Sequence, residues 1–238
     1  MVPPRRANEE EKEDAADGPR LVHITAATEL SELQRQLGTA RLEAVRAVSL
    51  TSEPESAGGL SWALQRLPRL QELRLLRTAL PGGLRAFGSG LFQLRVLWMV
   101  GCQLTTLDGV CALPRLRELY VARNQLDDVS VCSCLEQLQV LDVEDNQLSE
   151  SVSLMFLRAC SELCTLELRG NPLCSDRTQL QQLPDWLPQL QTLNGELTET
   201  GRKLLRRLQR PALKVNTWMA AAAAANAGLE RKRTGECT

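Results

Sequence analysis

An eleven-residue pattern, repeated along the chain, constrains the possible fold more than any other feature of this sequence. It places apolar residues, mostly leucine, at positions one, four, six and eleven, and often asparagine at position nine. Six copies of one template predict a solenoid, in which each copy packs only on its neighbours. The copies are LQELRLLRTAL from Leu70, LRVLWMVGCQL from Leu94, LRELYVARNQL from Leu116, LQVLDVEDNQL from Leu138, LCTLELRGNPL from Leu163 and a looser VRAVSLTSEP from Val45.

The period of the pattern identifies the kind of solenoid. Successive copies begin 22 to 25 residues apart, which lies within the range of leucine-rich repeats. Each copy opens with a short strand, and the remaining residues return along the opposite, convex side. We therefore predict an α/β solenoid, a leucine-rich repeat horseshoe of about six repeats with a parallel concave sheet and helical caps at both ends.

Position nine of the template is predicted to be buried and structural. Asn124, Asn146 and Asn171 occupy it in the last three copies, where their amides can bond the backbone of adjacent turns. Cys102 takes the same place in the copy before them, and Thr78 is a weaker substitute one copy earlier. We expect these residues to form an asparagine ladder that holds the turns together.

The alternate strand positions are predicted to project from the concave face as columns. Tyr120, the only tyrosine of the chain, falls beside Trp98, and we expect both rings to be exposed there. Aromatic anchors with a polar rim favour a protein-binding surface, although the two rings could instead form only a stabilising cross-strand pair. The predicted protein-binding residues are Arg74, Leu76, Val96, Trp98, Val100, Tyr120, Arg123, Asp142, Glu144 and Glu167.

The flanks of the repeats divide the chain into four parts. An N-cap at Thr28 and apolar residues at Leu30, Leu33 and Leu37 predict a helix that covers the first repeat. The predicted parts are a disordered tail, 1–20, an N-terminal helical cap, 21–42, a leucine-rich repeat domain with its C-terminal cap, 43–196, and a basic helical extension, 197–238.

Charge and hydropathy limit the classes of partner. The net charge is −1, so nothing suggests a nucleic-acid ligand for the whole chain. Nine Lys/Arg against two Glu fall in residues 201–238, which predicts either a solvated helix surface or contact with an acidic partner. We expect no membrane span, because no apolar run reaches about 18 to 20 residues.

The sequence offers no constellation of catalytic or metal-binding residues. The eight cysteines lie among repeat leucines and predict reduced, small core side chains in a cytosolic-type compartment. Their spacings do not match a zinc site, and phosphate-loop and serine-elbow motifs are absent. The expectation is therefore a non-enzyme without a cofactor.

Within the repeats, the segment from Leu94 to Cys174 carries a more specific resemblance. LRVLWMVGCQL with the LDG and LRELY elements, followed by LEQLQVLDVEDN, closely resembles the leucine-rich repeat-containing protein 56 family. That resemblance implies a non-catalytic adaptor for assembly or intraflagellar transport of axonemal outer dynein arms. It also implies a cytoplasmic, ciliary or flagellar location, with dynein-arm or transport components as partners on the concave face.

A rival interpretation follows from the end of the array. NPLCSDRTQLQQLP followed by LQTLNGEL resembles the C-terminal cap of phosphatase-regulator leucine-rich repeat proteins. A regulatory subunit of a phosphatase or of a splicing-type complex is therefore the alternative, and a nuclear location would distinguish it.

Overall fold

The computed structural model describes residues 19–52, 57–76, 78–80, 83–88 and 90–208. The predicted tail lies outside these residues except for positions 19 and 20. The predicted basic extension lies outside them beyond Leu208.

A single sheet of nine strands runs through the described residues in chain order. The first eight strands are parallel, and the ninth pairs antiparallel with the eighth. The strands are β1 Leu21–Ile24, β2 Ala47–Ser52, β3 Glu72–Leu76, β4 Val96–Trp98, β5 Glu118–Tyr120, β6 Val140–Asp142, β7 Thr165–Glu167, β8 Thr192–Leu193 and β9 Glu196–Leu197.

The convex side consists of short helices, because a repeat of this length leaves few residues for the return. The α-helices are α1 Leu30–Leu37, α2 Ala57–Leu64, α3 Val152–Met155, α4 Arg177–Trp186 and α5 Glu199–Leu208. The 3₁₀ turns are Leu42–Ala44, Gly83–Phe87, Val110–Ala112, Ser130–Cys134, Phe156–Ala159 and Pro172–Ser175. This arrangement confirms the predicted leucine-rich repeat solenoid.

The core is one continuous column of aliphatic side chains. Equivalent template positions pair in register, as in Leu97 with Leu119 and Leu119 with Leu141. Each of these leucines is fully buried. A leucine buried in this way contributes about 1.5 to 3 kcal/mol relative to exposure, so the repeated leucines account for the stacking of the turns.

The N-terminal cap differs from the prediction in two respects. Strand β1 extends the sheet by pairing with β2, and its four residues, with only Val22 and Ile24 buried, are too short to signal a strand by periodicity. Helix α1 begins after Glu29, so the expected N-cap at Thr28 is wrong. The Thr28 hydroxyl instead accepts the Thr25 N–H at 2.8 Å and closes the turn before the helix.

The C-terminal cap ends the array with a hairpin and a helix. Asn194 and Gly195 join β8 to β9, and both have positive φ, 51° and 74°, as a type I′ turn requires. Helix α5 then packs against the segment leading into β8 at Gly201. A Cβ added to Gly201 would overlap the Gln191 carbonyl oxygen, so this close approach requires glycine.

One pair of cysteines corrects the prediction that all eight are reduced. Cys111 and Cys134 form a disulfide between two consecutive 3₁₀ turns of the convex side. Their separation of 23 residues is about one repeat, which brings their Cα atoms to 5.7 Å, a distance that a disulfide bridges. Of the free cysteines, Cys102, Cys132 and Cys160 are buried, whereas Cys164 and Cys174 are partly exposed.

Candidate functional site

Asparagine side chains at position nine of the template satisfy backbone groups in the interior of the turns. The Asn124 Nδ2 donates to the carbonyl oxygens of Met99 and Val121 at 2.8 Å each, and its Oδ1 accepts the Leu104 N–H at 3.0 Å. One amide thus joins two consecutive turns. Asn146 and Asn171 make the equivalent bonds one and two repeats later.

The substitutes for asparagine make fewer and weaker bonds. The Cys102 thiol is buried and lies 3.7 Å from the Leu75 carbonyl oxygen, a weak sulfur contact. Burial raises the pKa of Cys102 to about 11, so it remains a thiol. The Thr78 hydroxyl accepts the Ser52 N–H at 3.1 Å and donates to the Leu76 carbonyl oxygen.

Sequence reasoning missed a further ladder residue, Asn194. Its Oδ1 accepts the Leu168 N–H at 2.7 Å, so it extends the same type of bond into the cap. The Leu-x-x-Leu-Asn segment carried the signal, but asparagine there occupies position five of the template instead of position nine.

The concave columns align across the strands as predicted. Strand register places Arg74 opposite Trp98, Trp98 opposite Tyr120, Tyr120 opposite Asp142 and Asp142 opposite Glu167. We call these five residues the concave row. It passes from a cation through two aromatic rings to two carboxylates, and that gradient is the main feature of this face.

The two rings of the concave row stack instead of both facing solvent. Their centroids lie 3.6 Å apart with 9° between the planes, and the Tyr120 hydroxyl donates to the Glu118 carboxylate at 2.9 Å. Tyr120 is only 6% exposed, so the expectation that it is exposed is wrong. The in-register pairing allows Trp98 to cover it, and Tyr120 therefore supports the half-buried Trp98.

An apolar patch surrounds the indole ring of Trp98. Leu76, on the neighbouring strand β3, is 39% exposed. Val96, on the same strand as Trp98, and Val100, just after it, are partly exposed. The Arg74 guanidinium lies 5.6 Å from the centre of the Trp98 ring. It also pairs with Glu72 at 2.6 Å, so the basic end of the row is already neutralised.

The acidic end of the row is less completely paired. The Asp142 carboxylate accepts the Glu144 N–H at 3.1 Å, and Arg169 approaches Glu144 at 3.9 Å. At the rim, Arg123 lies 3.7 Å from Asp145. Glu167 is fully buried, and neither of its carboxylate oxygens has a hydrogen-bond partner of normal geometry among the described residues.

Burial raises the pKa of both acidic residues of the row. That of Asp142 rises to about 6, and the nearby charges of Glu144 and Asp145 add to the rise. The pKa of Glu167 rises to about 7, although Arg169 and the Gly195 backbone offset part of the effect. The Trp98 Nε1 is also buried, and no described residue accepts its hydrogen bond. The row thus carries polar groups that the described part of the chain leaves incompletely satisfied.

The described residues contain no group of three or more His, Cys, Asp or Glu side chains that could hold a metal ion. Within the same part of the chain, no helix is long and apolar enough to cross a membrane.

Comparison with solved structures agrees with the fold. A TLR13 chain, solved in complex with ssRNA13, superposes with a TM-score of 0.51 at 23% identity, covering 73% of this chain and 23% of that chain. Internalin C2 from Listeria monocytogenes has a TM-score of 0.47 at 19% identity, covering 74% of this chain and 76% of its own. No protein-family model matches the chain.

Curated relatives agree with the sequence resemblance. The Rattus norvegicus leucine-rich repeat-containing protein 56 is 44% identical over 108 residues, 45% of this chain and 20% of its own length. The Homo sapiens protein is 43% identical over the same length. A Trypanosoma brucei brucei homolog is 29% identical over 163 residues, 67% of this chain and 19% of its own. The chain therefore spans about a fifth of the length of these relatives.

The fold and the concave face define a leucine-rich repeat protein of the protein-interaction class. Within that class, the chain is similar to proteins of the leucine-rich repeat-containing protein 56 family.

Proposed function

We propose that this chain is a non-catalytic adaptor that binds a protein partner on its concave face. The observation that carries the proposal is the concave row, in which a supported indole, an apolar surround and incompletely satisfied polar groups lie together. Energetically important interface residues are commonly Trp, Tyr and Arg, fixed in place and surrounded by a polar rim. Trp98 fits that role because the Tyr120 ring stacks against its indole ring and fixes its position.

We further propose that the adaptor acts in assembly or intraflagellar transport of axonemal outer dynein arms. Similarity to the leucine-rich repeat-containing protein 56 family supports this role, because the sequence resemblance implies it. The expected locations are the cytoplasm and the cilium or flagellum. The expected partners are dynein-arm or transport components.

The basic helix α5 is a second contact in this proposal. Leu204 is 37% exposed, and Glu199 pairs loosely with Arg202 at 3.8 Å and Lys203 at 3.9 Å. The outward basic residues favour an acidic partner surface. Truncation after residue 197 is expected to weaken partner capture without abolishing it, and unchanged capture would remove α5 from the interface.

Capture from a ciliated cell tests the concave face. Tagged wild-type chain and Trp98→Ala are compared by proximity labelling, with Phe156→Ala as the matched control, since Phe156 is 55% exposed on the convex side. We expect Trp98→Ala to lose labelling of dynein-arm and transport components at an unchanged thermal midpoint, while Phe156→Ala retains it. Equal labelling by all three would contradict the proposal. Labelling of nuclear phosphatase or splicing proteins would favour the alternative family role.

A further inference from the structure

The acidic end of the concave row contains a buried carboxylate that the described residues satisfy only in part. A carboxylate held away from water with too few donors is costly. Glu167 is fully buried, and neither oxygen has a hydrogen-bond partner of normal geometry among the described residues, although the Gly195 backbone and Arg169 offset part of that cost. Asp142, the adjacent residue of the row, is partly exposed and accepts the Glu144 N–H. The end of the row therefore presents an accessible carboxylate backed by a buried, incompletely satisfied one.

The balance of charge is also different at the two ends of the row. The Arg74 guanidinium is 2.6 Å from Glu72, so that end is internally neutral. At the other end, the carboxylates of Asp142, Glu144 and Glu167 lie close enough to repel one another, and Arg169 offsets this charge from 3.9 Å of Glu144. This end retains an excess of negative charge, and its complement is a cation.

The geometry selects the class of cation. The described acidic residues do not form a group able to hold a metal ion. An arginine side chain fits better, because its planar guanidinium donates two parallel bonds to a carboxylate and tolerates partial burial beside aromatic rings. Trp98 already accepts the Arg74 guanidinium over its ring at 5.6 Å.

We propose that the partner of the concave face presents an arginine to Asp142 and Glu144, next to an apolar side chain that covers Trp98. This inference rests on the proposed function and specifies the partner's chemistry. Asp142 lies two strands from Trp98 in the register. Strands are about 4.8 Å apart, so the two partner side chains lie roughly 10 Å apart. An extended segment spans that distance in about three residues.

Peptide selection on the intact chain tests this specificity. A phage library of random twelve-residue peptides is selected on wild-type chain and counter-screened on Trp98→Ala. We expect the Trp98-dependent peptides to be enriched in arginine about three residues from an apolar residue. The best peptide is then synthesised with arginine and with citrulline, its neutral isostere, and binding is measured by fluorescence anisotropy.

The expected result is at least about tenfold weaker binding of the citrulline peptide to wild-type chain, because a charge-assisted bidentate contact is lost. The Asp142→Asn/Glu144→Gln variant should bind both peptides equally. Glu136→Gln/Glu162→Gln, which changes two exposed carboxylates outside the concave row, should behave as wild type. Circular dichroism verifies that both variants fold.

Two outcomes would overturn the inference and separate it from the proposed function. Trp98-dependent peptides that bind equally well with citrulline would exclude arginine recognition and leave the concave interface standing. A library without any Trp98-dependent peptide would contradict both proposals.

Discussion

The asparagine ladder and the concave row lie four residues apart in each repeat, yet their buried polar groups differ in hydrogen bonding. In the ladder, the buried Asn146 amide bonds backbone groups of two turns. In the row, the buried Glu167 carboxylate and the Trp98 Nε1 have no hydrogen-bond partner of normal geometry among the described residues. A buried polar group is normally satisfied. The ladder therefore stabilises the fold. We interpret the row as a binding surface.

This difference separates stability from function along one chain. If it is correct, substitutions in the ladder reduce the free energy of unfolding. Substitutions in the row change binding and leave stability equal or higher.

The largest expected effect is at the ladder. Asn146→Ala removes bonds to the carbonyl oxygens of Val121 and Val143 and leaves the Leu126 N–H unsatisfied. We expect the free energy of unfolding to fall by about 3 to 5 kcal/mol, because several buried groups lose their partner together. Urea denaturation measures it, with the exposed Gln147→Ala as control. A fall below about 1 kcal/mol would contradict the role assigned to the ladder.

The disulfide is expected to stabilise the solenoid independently of both regions. Reduction of Cys111–Cys134, which closes a loop of 23 residues, should lower the free energy of unfolding by about 3 kcal/mol through chain entropy. Urea denaturation with and without reductant measures this, and a Cys111→Ser/Cys134→Ser chain should not respond to reductant. An unchanged midpoint in the wild type would argue against a structural role for the disulfide.

A substitution at Glu167 in the concave row should raise the free energy of unfolding. The pKa of Glu167 rises from 4.5 to about 7 on folding, so the folded chain holds this proton more tightly than the unfolded chain. Its contribution is fully present below pH 4.5 and is lost as pH rises towards 7. Glu167→Gln keeps a neutral group there, so we expect it to be more stable than wild type by about 1 to 3 kcal/mol at pH 8.

The pH dependence provides the control for this prediction. The advantage of Glu167→Gln should disappear near pH 4, where the wild-type carboxyl is protonated in both states, and the exposed Glu162→Gln should show no such trend. Urea unfolding between pH 4 and pH 8 measures both. A variant less stable than wild type at pH 8 would mean that Glu167 makes favourable interactions there.

The smallest expected change in stability is at Trp98. Trp98→Phe keeps a ring against Tyr120 but removes the unpartnered indole N–H. We expect the free energy of unfolding to change by less than about 1 kcal/mol, while affinity for the partner falls. Unchanged affinity together with a large loss of stability would mean that the stacked Trp98 and Tyr120 rings stabilise the fold and do not bind the partner.

The sequence predicted the two regions unequally well. The template identifies the ladder and the register of the row, because both follow from a period that recurs in every copy. It did not predict that Tyr120 is covered, since side-chain stacking depends on how neighbouring rings turn after the strands pair. Cys111 and Cys134 lie in the variable return segments, where no template relates one repeat to the next. The four-residue β1 was too short to carry a pattern.

Site-specific photo-crosslinking tests the central claim, that the concave row binds the partner, most directly. A benzophenone amino acid is placed at Leu76, 39% exposed beside the row, or at Phe156, 55% exposed on the convex side, and the chain is irradiated in ciliated cells. Our account predicts a defined crosslinked partner from position 76, lost with Trp98→Ala, and none from position 156. A partner captured only from position 156 would contradict it.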